Sequence, residues 1–112
     1  MEYTTIEKEG RYYYDNGRLA YTPNTHYNQY RPYTKKELYY ICALWDKEKV
    51  NAISIFLGRT PNGLSEKVMR LKISGEFEQY RVRAAKVLPV IPELKNELTL
   101  DEWEKSHVSG MY

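Results

Sequence analysis

Three amphipathic segments between residues 34 and 75 constrain the fold of this chain more than any other feature of its sequence. The first has apolar residues three or four positions apart, at Leu38, Ile41, Cys42 and Trp45. This spacing places them on one face of a helix of about three turns, which we expect to end near Asp46. Thr34 and Glu37 have the spacing of a capping box, so the pattern predicts a helix that begins directly after Thr34.

The second and third segments follow after short connections. The second has its apolar face at Val50, Ile53, Ser54 and Leu57, and the third at Leu64, Val68 and Leu71. Gly58 lies where the end of a helix favours a residue that can adopt positive φ. Thr60 is a typical N-cap, and Pro61 suits the first helical position, which needs no N–H donor. Three helices joined by short turns are therefore predicted.

Tyrosine is concentrated near the start of the chain. It supplies 12 of the 16 aromatic residues, and ten of those 12 lie within the first 40 positions. Two aromatic-containing runs, 11–14 and 18–21, flank Asn16-Gly17, which is a favoured pair for a tight type I′ turn. We expect a small β-hairpin over these runs. Residues 22–33 follow neither a helical nor an alternating period, so we expect them to form a connecting loop.

The residues after Gly75 are apolar in part and contain two prolines, Pro89 and Pro92. The prolines favour an extended crossing over another long helix. Thr99 and Glu102 form a second capping-box pattern, which predicts a short last helix anchored by Trp103. The apolar residues of this part, Val87, Leu88, Val90, Ile91 and Trp103, are expected either to complete the core or to form an interface.

The expected fold class is therefore α+β and mainly α. It combines a Tyr-rich hairpin and loop at 1–33, a three-helix unit at 34–75 and a C-terminal extension at 76–112 that contains a short helix. A chain of 112 residues with 42% hydrophobic content can bury one modest core.

Few residues in this chain suit catalysis or metal binding. Cys42 is the single cysteine and lies on a predicted buried stripe, where a thiol behaves as a small hydrophobe. His26 and His107 are expected to be surface histidines. We expect no enzyme activity, no metal and no cofactor. The chain also has no apolar run of membrane-spanning length and no signal-peptide pattern, which favours a cytoplasmic protein.

The segment from 33 to 72 resembles the Myb/SANT-like helix-turn-helix domain. The likeness rests on the Tyr33-Thr34 start, on the Ala52-Ile53 pair of the second segment and, most specifically, on the turn from 57 to 61, Leu-Gly-Arg-Thr-Pro. The tryptophans that eukaryotic members repeat are replaced here by Tyr33, Val50 and Val68. The aromatic-rich leader is similar to that of small bacteriophage-encoded proteins.

The resemblance implies a trihelical fold whose third helix, about Pro61–Ser74, enters the major groove of DNA. The candidate DNA-binding residues are Arg59, Thr60, Asn62, Ser65, Lys67, Arg70 and Lys72. The alternative is that this is only the solvated face of an amphipathic helix. Residues 59–86 carry an excess of four positive charges, against one for 1–58 and an excess of three negative charges for 87–112. With Glu66 in the same helix, we expect few phosphate contacts, so that specific binding needs a homodimer, the hairpin or a partner protein.

The hairpin and the acidic end offer a second possible surface. The candidate partner-binding residues are Arg11, Tyr12, Tyr13, Tyr14, Arg18 and Tyr21. These tyrosines can pack the hairpin onto the helices, form a protein interface or stack on bases. The acidic residues after position 92 form either a solvated helix face or a surface that docks on a basic partner.

Two functions are therefore expected. The first is a small non-enzymatic protein that binds duplex DNA, a regulator encoded by a phage or mobile element. The second is a phage-encoded inhibitor that binds a host nucleic-acid enzyme, for example a CRISPR-Cas nuclease, with the three helices as scaffold.

Overall fold

The computed structural model describes residues 5–8, 11–14, 16–21, 26–88, 90–94 and 99–107. These residues form two strands and five helices: β1 (Thr5–Lys8), β2 (Arg11–Tyr14), α1 (Lys35–Leu44), α2 (Val50–Leu57), α3 (Pro61–Ser74), α4 (Glu76–Val87) and α5 (Leu100–His107). The described chain is thus mainly helical, as the sequence predicts.

The starts of α1 and α3 and the end of α2 lie at the residues that the sequence marks, while α1 ends at Leu44, two residues before Asp46. The Thr34 hydroxyl accepts a hydrogen bond from the Glu37 N–H at 3.1 Å, and the Glu37 carboxylate accepts one from the Thr34 N–H at 3.2 Å. The predicted capping box at the start of α1 is therefore confirmed. Gly58 ends α2 with φ of 68°, and Thr60 caps α3, with Pro61 at its first helical position.

One core is built from the inward faces of these helices. Its fully buried side chains include Ile41, Leu44, Ile53, Phe56, Leu57 and Leu64. Cys42 is buried among them, as expected, while Trp45 is only partly buried against their edge. Tyr40 is buried and Tyr39 is half-buried, so the pair beside the apolar face of α1 bridges core and solvent.

A fourth helix, α4, was not predicted from the sequence. It follows Gly75, which has φ of 80°, and it packs against α1 and α3. Its buried residues are Phe77 and Ala84. Only two side chains of α4 reach the core fully, which is why the apolar pattern in the sequence is too sparse to reveal the helix.

The C-terminal helix α5 completes the same core. Thr99 and Glu102 form the second capping box, because the Glu102 carboxylate accepts from the Thr99 N–H at 3.1 Å and the Thr99 hydroxyl accepts from the Glu102 N–H at 3.3 Å. Trp103 is 4% exposed, and its ring meets those of Tyr40 and Phe56 edge-on. Of the two alternatives for this part of the chain, the described residues favour completion of the core.

The hairpin differs from the expected one. Strand β2 forms its ladder with β1, antiparallel and with Ile6 opposite Tyr13, and makes only an isolated bridge, Tyr13 to Leu19, with residues 18–21. The chain reverses at Asn16-Gly17, but not as the expected type I′ turn. The Gly17 N–H donates to the Tyr14 carbonyl at 2.9 Å and the Tyr14 N–H to the Arg18 carbonyl at 2.8 Å, and Gly17 has a positive φ whereas Asn16 does not.

The side chain of Asn51 ties residues 17–19 to helix α2. Its carbonyl oxygen accepts from the Leu19 N–H at 2.9 Å, and its amide donates to the Gly17 carbonyl at 2.9 Å. Leu19 and Ala20 are then buried against the helices. Helix α2 therefore holds residues 17–19 in place through Asn51.

No helix in the described ranges combines the length and the apolar character that crossing a bilayer requires.

Candidate functional site

Helix α3 has one buried and one open face. Its buried residues are Pro61, Leu64, Val68 and Leu71, and its exposed ones include Asn62, Glu66, Met69, Arg70 and Ile73. The helix follows α2 after a three-residue turn, 58–60, so the N-terminal part of α3 lies next to that turn. This open face carries part of the predicted DNA-binding set.

Arg59 corrects that set, because its side chain is only 3% exposed. Its Nε donates to Glu37 Oε2 at 2.5 Å, and its Nη2 donates to Glu37 Oε1 at 3.1 Å. The two Nη atoms also donate to the carbonyls of Arg31 and Pro32, at 2.8 and 3.0 Å. The expectation that Arg59 meets a phosphate is wrong, since its donors and its charge are already satisfied inside the protein.

Thr60 also has a structural role. Its hydroxyl accepts from the Gly63 N–H at 3.1 Å, which caps α3, and its backbone N–H donates to the Gln29 side-chain oxygen at 3.1 Å. These bonds fix the start of α3 to the loop that precedes α1. They leave Thr60 as a positioning residue for the site and not as a DNA contact.

The remaining predicted residues of α3 are accessible to different degrees. Asn62 is exposed, and its oxygen accepts from Arg18 Nη1 at 2.6 Å, so a hairpin residue lies at the start of α3. Ser65 is half-buried. Arg70 is exposed and pairs with Glu66 at 2.7 Å.

Two lysines of α3 lie over aromatic rings. Lys67 Nζ is 5.4 Å from the centre of the Tyr33 ring, on the side of the loop before α1. Lys72 Nζ is 5.0 Å from the centre of the Phe77 ring, at the start of α4. The structure therefore groups Lys67 with Arg70 and the loop, whereas Lys72 lies towards α4.

The sequence predicts a connecting loop at 22–33, but it does not reveal that residues 26–33 are bonded to the α2–α3 turn. The Asn28 N–H donates to the Gly58 carbonyl and its side-chain amide to the Leu57 carbonyl, both at 2.8 Å. The Arg31 N–H closes a turn on the Asn28 carbonyl at 3.1 Å. Asn28 and Pro32 are turn-forming residues and were the available signal, but nothing local indicates that the loop is tied to the α2–α3 turn.

A shallow depression of about 470 Å³ separates this loop from α3. It is lined by Gln29, Tyr30, Arg31, Pro32, Tyr33, Arg59, Gly63, Glu66, Lys67 and Arg70. The lining combines exposed cations with tyrosines. We define the loop–α3 surface as the part of it formed by Tyr30, Arg31, Lys67 and Arg70.

His26 holds the loop against α2. The expectation that it is a surface histidine is wrong. It is 1% exposed, and its Nε2 lies 2.9 Å from the Ser54 hydroxyl oxygen. The hydroxyl donates its hydrogen to the Arg59 carbonyl at 2.5 Å, so Nε2 must be the donor to Ser54. Burial lowers the pKa of the imidazole to about 4, which keeps it neutral at pH 7.

The candidate partner-binding residues of the hairpin are only partly accessible. The side chains of Arg11, Tyr13, Tyr14 and Arg18 are half-buried, while that of Tyr12 lies outside the described residues. Tyr21 is exposed, and its ring stacks on His26 and meets Tyr30 edge-on, at centroid distances of 5.9 and 6.0 Å. Tyr21 therefore links the end of the hairpin region to the loop–α3 surface.

The acidic end also makes contacts within the protein. Glu104 pairs with Lys36 of α1 at 2.9 Å, and Glu102 caps α5. The cap hydrogen bonds from Thr99 lower the pKa of Glu102. These two carboxylates have structural roles, which supports the interpretation of this segment as a solvated helix face.

Cys42 has no exposed thiol. Burial raises its pKa to about 12, so the thiol stays protonated at neutral pH. Within the ranges that the structure describes, no three His, Cys, Asp or Glu side chains lie close enough together to hold a metal ion.

Comparisons with protein-family models, with curated proteins and with solved structures gave no match to this chain.

Proposed function

We propose that the protein binds duplex DNA through the first turns of α3 and the loop–α3 surface. The main support for the proposal is that loop 26–33, which is hydrogen-bonded to the α2–α3 turn, adds the aromatic side chain of Tyr30 and the cationic side chain of Arg31 to the exposed face of α3. Arg31 is exposed and makes no ion pair with any described residue, and Arg70 lies across the depression. Asn62, exposed at the start of α3, is suited to pair with a base edge.

The helix arrangement supports the same proposal. Helices α1, α2 and α3 share one core, and a three-residue turn containing Gly58 joins the last two. Three helices on one core, with a short turn before the third, are compatible with a Myb-like helix-turn-helix, in which the third helix enters the major groove. As a DNA-binding module the protein acts as a regulator, and we propose a phage or mobile element as its source.

Charge determines how tightly a single copy can bind. The surface has three cations, Arg31, Lys67 and Arg70, against the carboxylate of Glu66. Arg59 adds nothing, because Glu37 neutralises it inside the protein. About three phosphate contacts give a slope of about −3 for log affinity against log salt concentration, which corresponds to modest affinity. A second copy or a partner protein then supplies the remaining affinity.

Fluorescence anisotropy with a labelled duplex at graded salt concentrations tests this proposal. We expect Arg31→Ala and Arg70→Ala each to weaken binding and to reduce the salt slope by about one unit. Arg83→Ala is the matched control, because it removes an equal charge from the exposed side of α4. Equal losses for all three variants, or binding that ignores salt, would contradict the proposal.

A protein partner is the second candidate function, and exposed apolar side chains favour it. Met69 and Ile73 lie four residues apart on α3 and are 55% and 79% exposed. Such a stripe suits a protein surface better than DNA. The partner would be a host nucleic-acid enzyme, such as a CRISPR-Cas nuclease, that the protein inhibits.

A pull-down with and without nuclease separates the two candidates. A protein partner that survives nuclease treatment, and that is lost in a Met69→Gln, Ile73→Gln double variant but kept in Arg70→Ala, supports inhibition. Loss of the captured material on nuclease treatment supports DNA binding.

A further inference from the structure

Tyr30 is held in an unusual backbone conformation. Its φ is 70°, and no other described residue except glycine has a positive φ. Bulky side chains rarely adopt this region, because Cβ approaches the following carbonyl oxygen. The side chain gains little in return from the protein, since Tyr30 is 86% exposed. Strain without compensating burial is characteristic of residues that are retained for contact with a ligand.

The backbone around Tyr30 is fixed on both sides. On one side, the Asn28 N–H is bonded to the Gly58 carbonyl at 2.8 Å. On the other, the Arg31 carbonyl accepts from Arg59, which is itself held by Glu37. The backbone that carries the ring is therefore held before any ligand arrives, which lowers the entropic cost of binding.

The surroundings of the ring are aromatic and cationic. The ring meets Tyr21 edge-on, and most of its surface is open to solvent. Arg31, Lys67 and Arg70 line the same depression. An open tyrosine face beside cations is the combination by which proteins hold single-stranded nucleic acid, the cations along the backbone and the ring against a base.

The neighbouring Tyr33 is not available for this role. The Arg59 guanidinium lies 3.9 Å from the centre of its ring, and Lys67 lies 5.4 Å from that centre. Its hydroxyl donates to the Gly63 carbonyl at 3.3 Å. Tyr33 is therefore part of the support of the surface, and Tyr30 is the tyrosine that a ligand can reach.

We propose that Tyr30 stacks on an unpaired base directly beside the duplex that α3 binds, so that the target is a junction of double- and single-stranded DNA. This inference rests on the proposed DNA binding by α3. A base inside a duplex has both faces covered by its neighbours, whereas a base at a junction leaves one face free. The cations of the loop–α3 surface contact the phosphates on either side of it.

The test compares DNAs that share one duplex sequence. One is blunt, one has a short 3′ single-stranded extension and one a short 5′ extension, and the affinities are measured by fluorescence anisotropy. Wild-type protein is expected to bind one extended DNA roughly tenfold more tightly than the blunt one. Tyr30→Ala and Tyr30→Gly remove this preference, and Tyr30→Phe and Tyr30→Trp keep it.

Thermal unfolding separates a binding role from a structural one. Glycine adopts positive φ without strain, so Tyr30→Gly leaves the melting temperature unchanged or raises it while the preference is lost. A residue with a purely structural role would show a lowered melting temperature. Tyr39→Ala, which removes a half-buried tyrosine on the side of α1 that meets Tyr80 of α4, is the control and keeps the preference for extended DNA.

The failures of this inference and of the proposed function are distinct. If wild-type protein binds blunt and extended DNA equally and Arg70→Ala weakens both, the role of Tyr30 is wrong and duplex binding stands. Retention of the preference by Tyr30→Gly overturns the role of Tyr30 in the same way. Absence of binding to all three DNAs overturns both.

Discussion

Arg59 is the side chain on which the polar contacts of the candidate site converge. It joins α1, through Glu37, to the loop before α1, through the carbonyls of Arg31 and Pro32. A buried guanidinium needs all of these partners, because removing an ion from water is costly unless its charge and donors are satisfied. Arg59 thus positions the loop that carries Tyr30.

Arg59→Ala is expected to lower the free energy of unfolding by about 3–5 kcal/mol, because it leaves the Glu37 carboxylate buried and unpaired. Urea denaturation measures the change. Replacing both partners, as Arg59→Met with Glu37→Leu, is expected to cost less than the single change. A loss below about 1 kcal/mol for Arg59→Ala is what an exposed pair shows and would contradict this account.

His26 makes the stability of the protein depend on pH. Its pKa is about 4 in the folded protein, against an ordinary value of 6.5 for a solvated imidazole, so between these values the unfolded chain binds more protons. Stability is therefore complete above pH 6.5 and falls as the pH drops towards 4, by about 3 kcal/mol in all. Urea denaturation at pH 7 and pH 4 measures the loss.

His26→Gln is the control for this prediction, because glutamine does not titrate and can still donate to Ser54. Carboxylates contribute their own pH dependence to both proteins, so the difference between wild type and variant isolates the histidine. Equal losses of stability in the two proteins would show that His26 does not titrate as described.

At the scale of elements, the turn between α2 and α3 determines where the site lies. The turn begins at Gly58, whose carbonyl accepts from Asn28 and whose φ is 68°. A Cβ at this position would lie 2.7 Å from the Tyr27 ring. The loop can approach the turn this closely because residue 58 has no side chain.

Gly58→Ala is expected to destabilise the protein by about 2 kcal/mol, since it combines the backbone cost of positive φ with displacement of Tyr27. Gly75→Ala is the matched control, because Gly75 also ends a helix at positive φ but has no atom within 4 Å of the added Cβ. It is expected to cost about 1 kcal/mol. Thermal denaturation compares the two, and a larger loss for Gly75→Ala would contradict the packing argument.

At the scale of the whole molecule, segments that precede and follow the first three helices pack against them. Trp103 of α5 closes the core against Tyr40 and Phe56. Leu19, beyond the hairpin, is buried on the side of Asn51. The core is thus larger than three helices alone would provide.

Trp103→Ala is expected to lower the free energy of unfolding by about 3–5 kcal/mol, because it empties a large site in the core. Lys36→Ala removes the exposed ion pair between α1 and α5 and is expected to cost at most about 1 kcal/mol. Denaturant unfolding of both variants checks the difference. Similar small losses would mean that α5 is only loosely attached.

Local sequence signals determined four of the five described helices. Thr34 with Glu37, Thr60 with Pro61 and Thr99 with Glu102 act within four residues, and so does the C-cap at Gly58. The apolar spacing then showed which faces are buried. These interactions do not depend on the rest of the fold, which is why the sequence alone reveals them. Contacts of α3 with DNA remain a prediction.

Only the tertiary structure decided which polar residues are buried and how the loops are placed, because the interactions responsible join residues that are distant in the sequence. Glu37 lies 22 positions from Arg59, and Ser54 lies 28 positions from His26, so neither burial can be read from local pattern. The place of Leu19 also depends on Asn51, which lies 32 positions away. The exposed, strained Tyr30 likewise results from a loop held by the α2–α3 turn, a contact that forms only when the helices have packed.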